Sequence, residues 1–461
     1  MKSIALIGAG FSGLGMAYAL KKEILEFDHY EKNPALGGNW RYGVYETVHI
    51  ISSKKTTSFQ EYPMPSSYPD FPSSGQMLAY LESYADTFHL KENIQFDSDI
   101  IDISPHGERW ILTFSGGEKK IYEFVIIANG HHWDPKYPDI KGSFDGEIIH
   151  SKDYKNPEIL KNKRVLVIGG GNSALDIAVE AARFSISSHI SMKSGRWIIP
   201  KSIFGIPSIE FLQPWIPDPL LRQLVQNLVL LEIGSFEKYG LQNPDYTVLD
   251  KHPTINSLFL YYLQHGRIVP HKNIESVRGN TFTFVDGSQY EADLLVCGTG
   301  FHMSFPMLQS LDLRYSSRGI PELINGLFPR KYKNLILFGG VGQPRYGAGP
   351  VISAAAGLVA KLLPIQKEIQ LSLGELFFRM GQNPLESEVI DPFTTMRRAE
   401  ALGKMTGFLP FLDQVLRMPF LEGLYKHREN DIMKKFNLPA PQKNYPETNR
   451  KANSAFTNSY K

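Results

Sequence analysis

Cysteine is almost absent from this 461-residue chain, which contains only Cys297. A single cysteine excludes a disulfide scaffold, a cysteine-rich metal site and any reductase that works through a C-x-x-C pair. We therefore expect neither a structural disulfide nor a bound metal ion.

Charge imbalance and long apolar runs are also lacking. The net charge of +2 offers no attraction for nucleic acid or an anionic membrane. No window approaches the ~20 uninterrupted apolar residues of a membrane span, and the apolar run at 351–363 predicts a buried helix. We expect a cytoplasmic protein with no nucleic-acid or membrane partner. The oligomeric state stays open, with a homodimer as one option.

The chain opens with a glycine-rich turn between an apolar strand and a helix. Residues 3–7 form the strand, and the sequence G-A-G-F-S-G follows. In a dinucleotide-binding turn the second glycine lets a pyrophosphate approach the backbone, and the anion binds free N–H groups at the start of the helix. An acidic residue about 20 positions later holds a ribose hydroxyl. An ordinary strand-to-helix turn is the alternative. The predicted contacts are Gly8, Gly10, Ser12, Gly13 and Glu31.

A second turn of this kind follows the apolar run at 165–168. It reads G-G-G-N-S-A and continues into a helical pattern. The predicted contacts are Gly169, Gly171, Asn172, Ser173 and Ala174, the last also keeping helix and strand close. Two such turns in one chain indicate two nucleotides held face to face, which suggests electron transfer between them.

Further ligand contacts are predicted at four other glycine-containing segments. Paired glycines precede Trp40, whose ring offers a flat apolar surface to a ligand. A surface turn beside a core tryptophan is the alternative. Elsewhere, an apolar strand runs into a glycine turn three times. The predicted contacts in these segments are Lys32, Gly38, Asn39, Trp40, Gly130, Gly300 and Gln343.

Two cations stand where the second domain's ribose-binding carboxylate is expected. The second strand is expected to end near residues 188–193, where Lys193 stands and Arg196 follows, and no carboxylate lies there. A carboxylate suits a free ribose 2′-hydroxyl, whereas a cation accommodates a 2′-phosphate. The sequence therefore favours NADPH over NADH, with a pair of solvated surface cations as the alternative.

The order of these strands and turns predicts an α/β fold with two Rossmann-like dinucleotide-binding domains, the second inserted in the first. The first domain comprises residues 1–161 and 298–438, with helices at its C-terminal end, and the second comprises 162–297 with a helical insertion at 200–265. A polar tail follows at 439–461. Residues 45–75 lack periodicity and are interpreted as lining of a functional site.

Residues 144–154 add a pattern that resembles a known family. Phe144-x-Gly146-x-x-x-His150-x-x-x-Tyr154 is similar to the identifying motif of the flavin-containing monooxygenases, the class B flavoprotein monooxygenases. The resemblance runs from residue 1 to about 360. It implies that the first glycine turn binds FAD and the second binds NADPH. The related Baeyer–Villiger enzymes usually end this motif with Trp, so Tyr154 resembles the N- and S-oxidising branch.

The resemblance also implies a reaction, including N,N-dimethylaniline monooxygenase activity. NADPH reduces FAD, O₂ adds to form a C4a-hydroperoxyflavin, and an amine nitrogen or sulfide sulfur of a small substrate takes one oxygen atom. Because the cofactor carries this chemistry, no catalytic triad is expected. Three alternatives stay open: a Baeyer–Villiger enzyme acting on ketones, an uncoupled NADPH oxidase that releases hydrogen peroxide, and a non-enzymatic nucleotide-binding protein. Two nucleotide sites argue against the last.

Two positions depart from the family pattern. The family usually carries Asn three residues before the lysine that matches Lys54, where it contacts the oxygenated flavin, and here that residue is Ile51. Isoleucine makes no hydrogen bond, so the residues implied to shape the oxygenation site are Ser52, Ser53 and Asn172. His150 is either catalytic or a linker histidine bonded to the backbone. Lys193 matches the family's usual 2′-phosphate arginine, which leaves strict NADPH preference in question.

Overall fold

Two five-stranded parallel sheets organise the chain in the computed structural model, which describes residues 2–316, 319–340, 342–385 and 389–435. The predicted polar tail at 439–461 lies outside the described residues. The central strand of the first sheet, Ile4–Ile7, is entirely apolar, and that of the second sheet is apolar after its first residue, Arg164, as expected for parallel sheets covered on both faces.

The first sheet is built around the N-terminal strand. From edge to edge its strands are Leu335–Leu337, Phe124–Ile127, Ile4–Ile7, Phe27–Tyr30 and Ile94–Gln95, all parallel. Every residue of Ile4–Ile7 and Phe124–Ile127 is buried. The first glycine turn leaves the carboxyl end of the central strand, where ligands bind in open α/β sheets.

The second sheet repeats this arrangement. Its strands are, in order, Glu147–His150, Leu294–Cys297, Arg164–Ile168, Ser187–Ser191 and Ile268–His271, all parallel. The second glycine turn leaves the carboxyl end of its central strand. All five strands lie between two strands of the first sheet in the chain, so the second unit is inserted in the first. The predicted fold class is confirmed.

One predicted boundary differs from the structure. Residues 147–150 were assigned to the first domain, but Glu147–His150 pairs with Leu294–Cys297 in the second sheet. The preceding strand Lys141–Phe144 pairs with Ile274–Gly279. Both partners lie more than 100 residues away in the chain, and nothing local in these short strands indicates which sheet they join. The second unit therefore begins before residue 162.

Smaller sheets and helices surround the two parallel sheets. An antiparallel meander consists of Ile100–His106, Arg109–Phe114 and Lys119–Tyr122. The other strands are Thr281–Phe284 and Gln289–Glu291, and the two-stranded pairs Asp134–Pro135 with Phe301–His302, Ile198–Ile199 with Thr254–Ile255, Ser202–Ile203 with Ile206–Pro207, Leu323–Ile324 with Phe328–Pro329, and Gln343–Pro344 with Val389–Ile390. The α-helices are Phe11–Lys22, Asn39–Tyr42, Lys54–Thr57, Ser74–Thr87, Asn172–Phe184, Asp218–Ile233, Leu258–Gln264, Gly349–Glu368, Leu373–Arg379, Pro392–Met405, Leu409–Leu416 and Glu422–Lys435.

The helix predicted at 351–363 is longer than the sequence suggested. It spans Gly349–Glu368 and packs against Phe11–Lys22 and Pro392–Met405. Among the described residues it alone has the length and apolar composition to cross a membrane, and half of its most apolar window is buried inside the protein. Its apolar side chains form one core with the helices of the first sheet.

Candidate functional site

The carboxyl ends of both sheets open into one cavity of about 1980 Å³. Ligand pockets for one drug-sized molecule are typically ~300–1,000 Å³, so this volume suits two large ligands. The cavity brings together most of the residues predicted to contact nucleotides. Those that line it are Gly8, Gly10, Ser12, Glu31, Lys32, Gly38, Asn39, Trp40, Gly130, Gly169, Gly171, Asn172, Ser173, Lys193, Arg196, Gly300 and Gln343.

The first glycine turn presents an uncapped helix to the cavity. Gly10 is the N-cap of Phe11–Lys22, and no side chain caps that helix. A Cβ atom on Gly38 would lie 2.8 Å from the Cα of Gly10, so the two glycine segments meet at backbone distance. The free N–H groups and the positive end of the helix dipole form an anion site there.

The second glycine turn has the same geometry. Gly171 is the N-cap of Asn172–Phe184, again without a side-chain cap, and a Cβ on Gly171 would have no neighbour within 4 Å. A pyrophosphate therefore fits at both turns, which is what two dinucleotides require. The residues present thus fit FAD and NADPH.

Two predicted contacts have a packing role instead. Gly13 and Ala174 are not part of the cavity lining. A Cβ on Gly13 would lie 1.8 Å from the carbonyl oxygen of Gly8. A Cβ on Gly298 would lie 2.6 Å from the Cβ of Ala174. Both residues let a helix approach the strand end closely, and neither faces the ligand space.

Glu31 lies at the end of the second strand of the first sheet, as predicted. Its side chain is buried, and Oε2 accepts a hydrogen bond from the backbone N–H of Ala9 at 2.7 Å. Oε1 accepts from the backbone and side-chain nitrogens of Asn33 at 3.0 and 2.6 Å. These donors fix the carboxylate at the edge of the cavity beside the first glycine turn.

The two predicted cations of the second unit also face the cavity. Arg196 lies against the second glycine turn, with its Cγ 3.0 Å from the position of a Cβ on Gly170. Thr254 donates its hydroxyl to the carbonyl oxygen of Gly170 at 3.0 Å and so fixes this turn from the other side. Lys193 is exposed at the cavity wall. A 2′-phosphate beside this turn would find both cations within one short segment.

Three histidines form a neutral cluster between the two turns. The amide nitrogen of Gln343 lies 3.0 Å from Nε2 of His131 and 3.3 Å from Nε2 of His132, so its two N–H groups can donate to both rings. Burial lowers the pKa of His131 to about 4 and the pKa of His132 well below its usual value. Burial, and then the charge of Arg196, lowers the pKa of His252. At neutral pH this wall therefore carries no imidazolium charge.

Asn129 offers an unused acceptor at the first strand end. Its side-chain nitrogen donates to the carbonyl oxygen of Ser304 at 3.0 Å, while its Oδ1 is buried and has no hydrogen-bond donor within the part of the chain that the structure describes. The residue lines the cavity next to the first glycine turn. A buried acceptor without a donor is costly, so a bound nucleotide that supplies one would be stabilised here.

The structure separates the serines implied to shape the oxygenation site. Ser52 lines the cavity, and its hydroxyl lies 2.6 Å from that of Thr57. Ser53 is buried outside the lining, where it caps the helix Lys54–Thr57 by accepting from the N–H of Thr56. Ile51 faces the cavity beside Ser52. Ser53 is therefore a structural residue, because its hydroxyl is used locally as a helix cap.

Asn172 and His150 are both held by backbone groups. Oδ1 of Asn172 accepts from the N–H of Ile255 at 2.8 Å, and its Nδ2 donates to the carbonyl oxygen of Pro253 at 3.2 Å. Nδ1 of His150 accepts from the N–H of Lys152 and Nε2 donates to the carbonyl oxygen of Gly300, both at 3.1 Å. Burial lowers the pKa of His150 to about 4. Of its two interpretations, the structure supports the linker histidine.

Several cavity residues were not indicated by the sequence. Thr254 and His252 come from the helical insertion at 200–265, where no ligand contact is predicted, and Asn129 is an ordinary residue of a strand end. His132 lies two residues after Gly130, a predicted ligand contact, and this short distance in sequence was the one available signal. Among the described residues, no group of three or more His, Cys, Asp or Glu side chains is placed to hold a metal ion.

Comparison with known proteins gives consistent matches. A family model described as flavin-binding monooxygenase-like matches residues 1–351. The chain is 30% identical over 426 residues to flavin-containing monooxygenase 5 of Rattus norvegicus, which covers 84% of this chain and 79% of that protein. It is 29% identical over 360 residues to dimethylaniline monooxygenase (N-oxide-forming) 2 of Macaca mulatta, covering 71% and 66% of the two chains. The structure of an oxidized steroid monooxygenase bound to NADP matches with a TM-score of 0.69 at 17% identity, over 88% of this chain and 97% of that one.

Proposed function

We propose that this chain, which belongs to the flavin-binding monooxygenase-like family, oxygenates small soft nucleophiles at an amine nitrogen or a sulfide sulfur. The predicted enzyme class is confirmed: the protein is an NADPH-dependent flavin monooxygenase that uses FAD, NADPH, O₂ and a small-molecule substrate. The substrate class and the residues assigned below are our proposal.

The main observation in support of this proposal is that two uncapped helix N-termini face the same cavity. The N-terminus of Phe11–Lys22 would hold the FAD pyrophosphate, with Glu31 beside it for a ribose hydroxyl. The N-terminus of Asn172–Phe184 would hold the NADPH pyrophosphate, with Lys193 and Arg196 for the 2′-phosphate. When bound, the two cofactors supply hydride transfer and activation of O₂.

The protein's own residues would orient the reactants and limit water. The histidine wall with Gln343 stays uncharged, which keeps this part of the cavity free of a cation. Ser52 and Ile51 line another segment of the cavity, and the side chain of Trp40 contributes an apolar surface. An amine or sulfide substrate already carries a free lone pair. None of these cavity residues therefore has to remove a proton from the substrate.

Two observations favour amines and sulfides over ketones. Tyr154 ends the signature motif where Baeyer–Villiger enzymes usually carry Trp. One of the matched proteins is named as N-oxide-forming. The uncoupled oxidase stays as a second candidate because Ile51, the residue in place of the family's Asn, does face the cavity.

The test is a product balance with purified, FAD-loaded protein. NADPH and O₂ consumption are measured with N,N-dimethylaniline, a dialkyl sulfide and a cyclic ketone, and N-oxide, sulfoxide, ester and H₂O₂ are quantified. Amine or sulfide oxygenation matching most of the NADPH consumed supports the proposal. Ester formation alone indicates a Baeyer–Villiger enzyme, and peroxide equal to NADPH with every substrate indicates an oxidase.

We also propose that the enzyme works in the cytoplasm without membrane attachment, as expected from its composition. The helix Gly349–Glu368 is the segment to examine, since half of its most apolar window is buried against the protein. Fractionation of cells that express the full chain tests this directly: recovery in the membrane pellet would contradict it. Light scattering on the same material would decide between a monomer and a homodimer.

A further inference from the structure

The helix that begins at the second glycine turn carries a polar stripe that faces inward. Asn172, Asp176 and Glu180 are spaced four residues apart within Asn172–Phe184, so they lie on one face of the helix. A stripe of this kind usually faces solvent. Here Glu180 is only 6% exposed, and all three side chains bond to other segments of the chain.

Asp176 joins two separate segments of the chain. Its Oδ2 accepts a hydrogen bond from the hydroxyl of Tyr45 at 2.7 Å, and its Oδ1 accepts from Nδ2 of Asn256 at 2.6 Å. Tyr45 is 4% exposed, and burial, with the nearby carboxylate of Asp176, raises the pKa of Tyr45 well above its usual value. The phenol therefore stays protonated and donates to the carboxylate.

Glu180 holds the same segment one helical turn further along. It accepts hydrogen bonds from the hydroxyls of Thr47 and Tyr154, the latter being the final residue of the signature motif. The rings of Tyr45 and Tyr154 pack edge to face with centroids 5.7 Å apart. Residues 45 and 47 are thus fixed to the helix at two points.

The fixed segment leads directly into the cavity. Val48, Ile51 and Ser52 follow it and line the cavity wall, while Ser173 in the first turn of the helix lines the NADPH side. The hydrogen bond from Tyr45 spans these two sides. A shift at residue 45 would move the wall formed by residues 48–52 relative to the second nucleotide.

We propose that Tyr45 is a positioning residue that, through Asp176, sets the 48–52 wall against the NADPH site. This inference rests on the proposed function. In the coupled reaction, NADPH, H⁺, O₂ and substrate give NADP⁺, H₂O and oxygenated substrate. In the uncoupled reaction, NADPH, H⁺ and O₂ give NADP⁺ and H₂O₂. A misplaced wall weakens retention of NADP⁺ and diverts turnover to the second reaction.

The test compares Tyr45→Phe with Tyr122→Phe. Tyr122 is buried, donates to Asp28 at the same distance of 2.7 Å and lies outside the cavity lining. Its hydroxyl also bonds to that of Tyr30, so the control loses at least as many hydrogen bonds as Tyr45→Phe. The dissociation constant of NADP⁺ is measured by calorimetry on the oxidised flavoprotein, and the fraction of NADPH that ends as H₂O₂ is measured in turnover. We expect Tyr45→Phe to raise both, the constant by about fivefold or more, and Tyr122→Phe to lower only the melting temperature.

Further variants separate positioning from general loss of stability. Asp176→Asn should stay close to wild type, because an amide can accept from Asn256 and donate to the Tyr45 oxygen. Asp176→Ala should match Tyr45→Phe, and the double variant should be no worse than either single change. Thr47→Val is the milder change if Asp176→Ala does not fold, and it should raise the peroxide fraction in the same direction.

Equal NADP⁺ affinity and peroxide fraction in the two tyrosine variants would overturn the proposal. If the wild-type enzyme itself releases all reducing equivalents as peroxide, the proposed function fails, and the calorimetric comparison of NADP⁺ affinity still decides the role of Tyr45.

Discussion

The carboxylate of Glu31 accepts a hydrogen bond from the backbone N–H of Ala9, within the first glycine turn, at 2.7 Å. This contact ties the end of the second strand to the turn that follows the first, 22 residues earlier. The residue proposed to hold a ribose hydroxyl therefore also shapes the turn proposed to hold the pyrophosphate.

Glu31→Gln should weaken FAD binding. A glutamine has one oxygen and one NH₂ group, so the NH₂ must face either Ala9 N–H or the donors of Asn33. Hydrogen bonds to charged groups contribute ~1.5–3 kcal/mol, which corresponds to a dissociation constant raised roughly tenfold or more. Fluorescence titration of the apoprotein with FAD measures this. Asp28→Asn on the same strand is the control, and equal affinities in the two variants would remove Glu31 from the FAD site.

A pair of glycine substitutions should separate the two nucleotides. Gly10 and Gly171 both have extended backbone angles that valine accepts, and the space beside each is what a pyrophosphate would fill. Gly10→Val should give colourless protein, whereas Gly171→Val should stay yellow but no longer be reduced by NADPH. Absorbance spectra before and after NADPH addition show both. A yellow Gly10→Val protein, or rapid reduction of Gly171→Val, would contradict the assignment.

The sequence predicted well those features that depend on residues close together in the chain. Each glycine turn sits between its own strand and helix, so strand, turn and acidic residue could be read within about 30 residues, the length of one βαβ unit. The insertion of the second domain in the first could also be predicted, because an apolar strand runs into a glycine turn near residue 127 and again near residue 297.

What the sequence did not predict depends on contacts between distant segments. The strand Glu147–His150 joins the second sheet through a partner far along the chain. Ser53 looked like Ser52 in sequence, yet one hydroxyl caps a helix and the other faces the cavity. Asp176 is typical of an exposed helical position, and only the packed structure shows that Tyr45 covers it. Tertiary packing decides such cases, and local pattern carries no signal for them.

Lys193→Ala should raise the KM for NADPH more than the KM for NADH. The side chain is exposed at the cavity wall near the second glycine turn, where a 2′-phosphate is proposed. Loss of one charged contact corresponds to roughly tenfold weaker NADPH binding. Lys272→Ala, on the same unit but outside the cavity lining, is the control. Equal effects on the two coenzymes would exclude Lys193 from phosphate recognition.

Stability should fall in mild acid because His150 is buried in its neutral form. Burial lowers its pKa from 6.5 to about 4, so between these values the unfolded chain binds a proton that the folded protein does not. The free energy of unfolding therefore decreases as pH falls through this window, by up to about 1.4 kcal/mol per pH unit for each such group, and the full stability is present above it. His29 and His131 act in the same direction.

His150→Gln should lower stability at pH 7 but reduce the further loss between pH 7 and pH 5, measured by urea denaturation at each pH. His106→Gln, at an exposed strand end, is the control and should leave the pH dependence unchanged. A wild-type pH dependence in His150→Gln would show that His150 is not a source of the acid lability.

Ile51→Asn should improve coupling between NADPH oxidation and oxygenation. Ile51 faces the cavity beside Ser52, so the amide of an asparagine would lie where this enzyme family usually places one. A hydrogen-bonding group preorganised in a water-poor site stabilises charge that develops during reaction, so we expect the share of NADPH recovered as H₂O₂ to fall by about twofold or more. Peroxide and NADPH are quantified in the same assay with a sulfide substrate. Ile51→Leu keeps the position apolar and should show no such fall. An unchanged or larger peroxide share in Ile51→Asn would mean that this wall does not reach the reacting flavin.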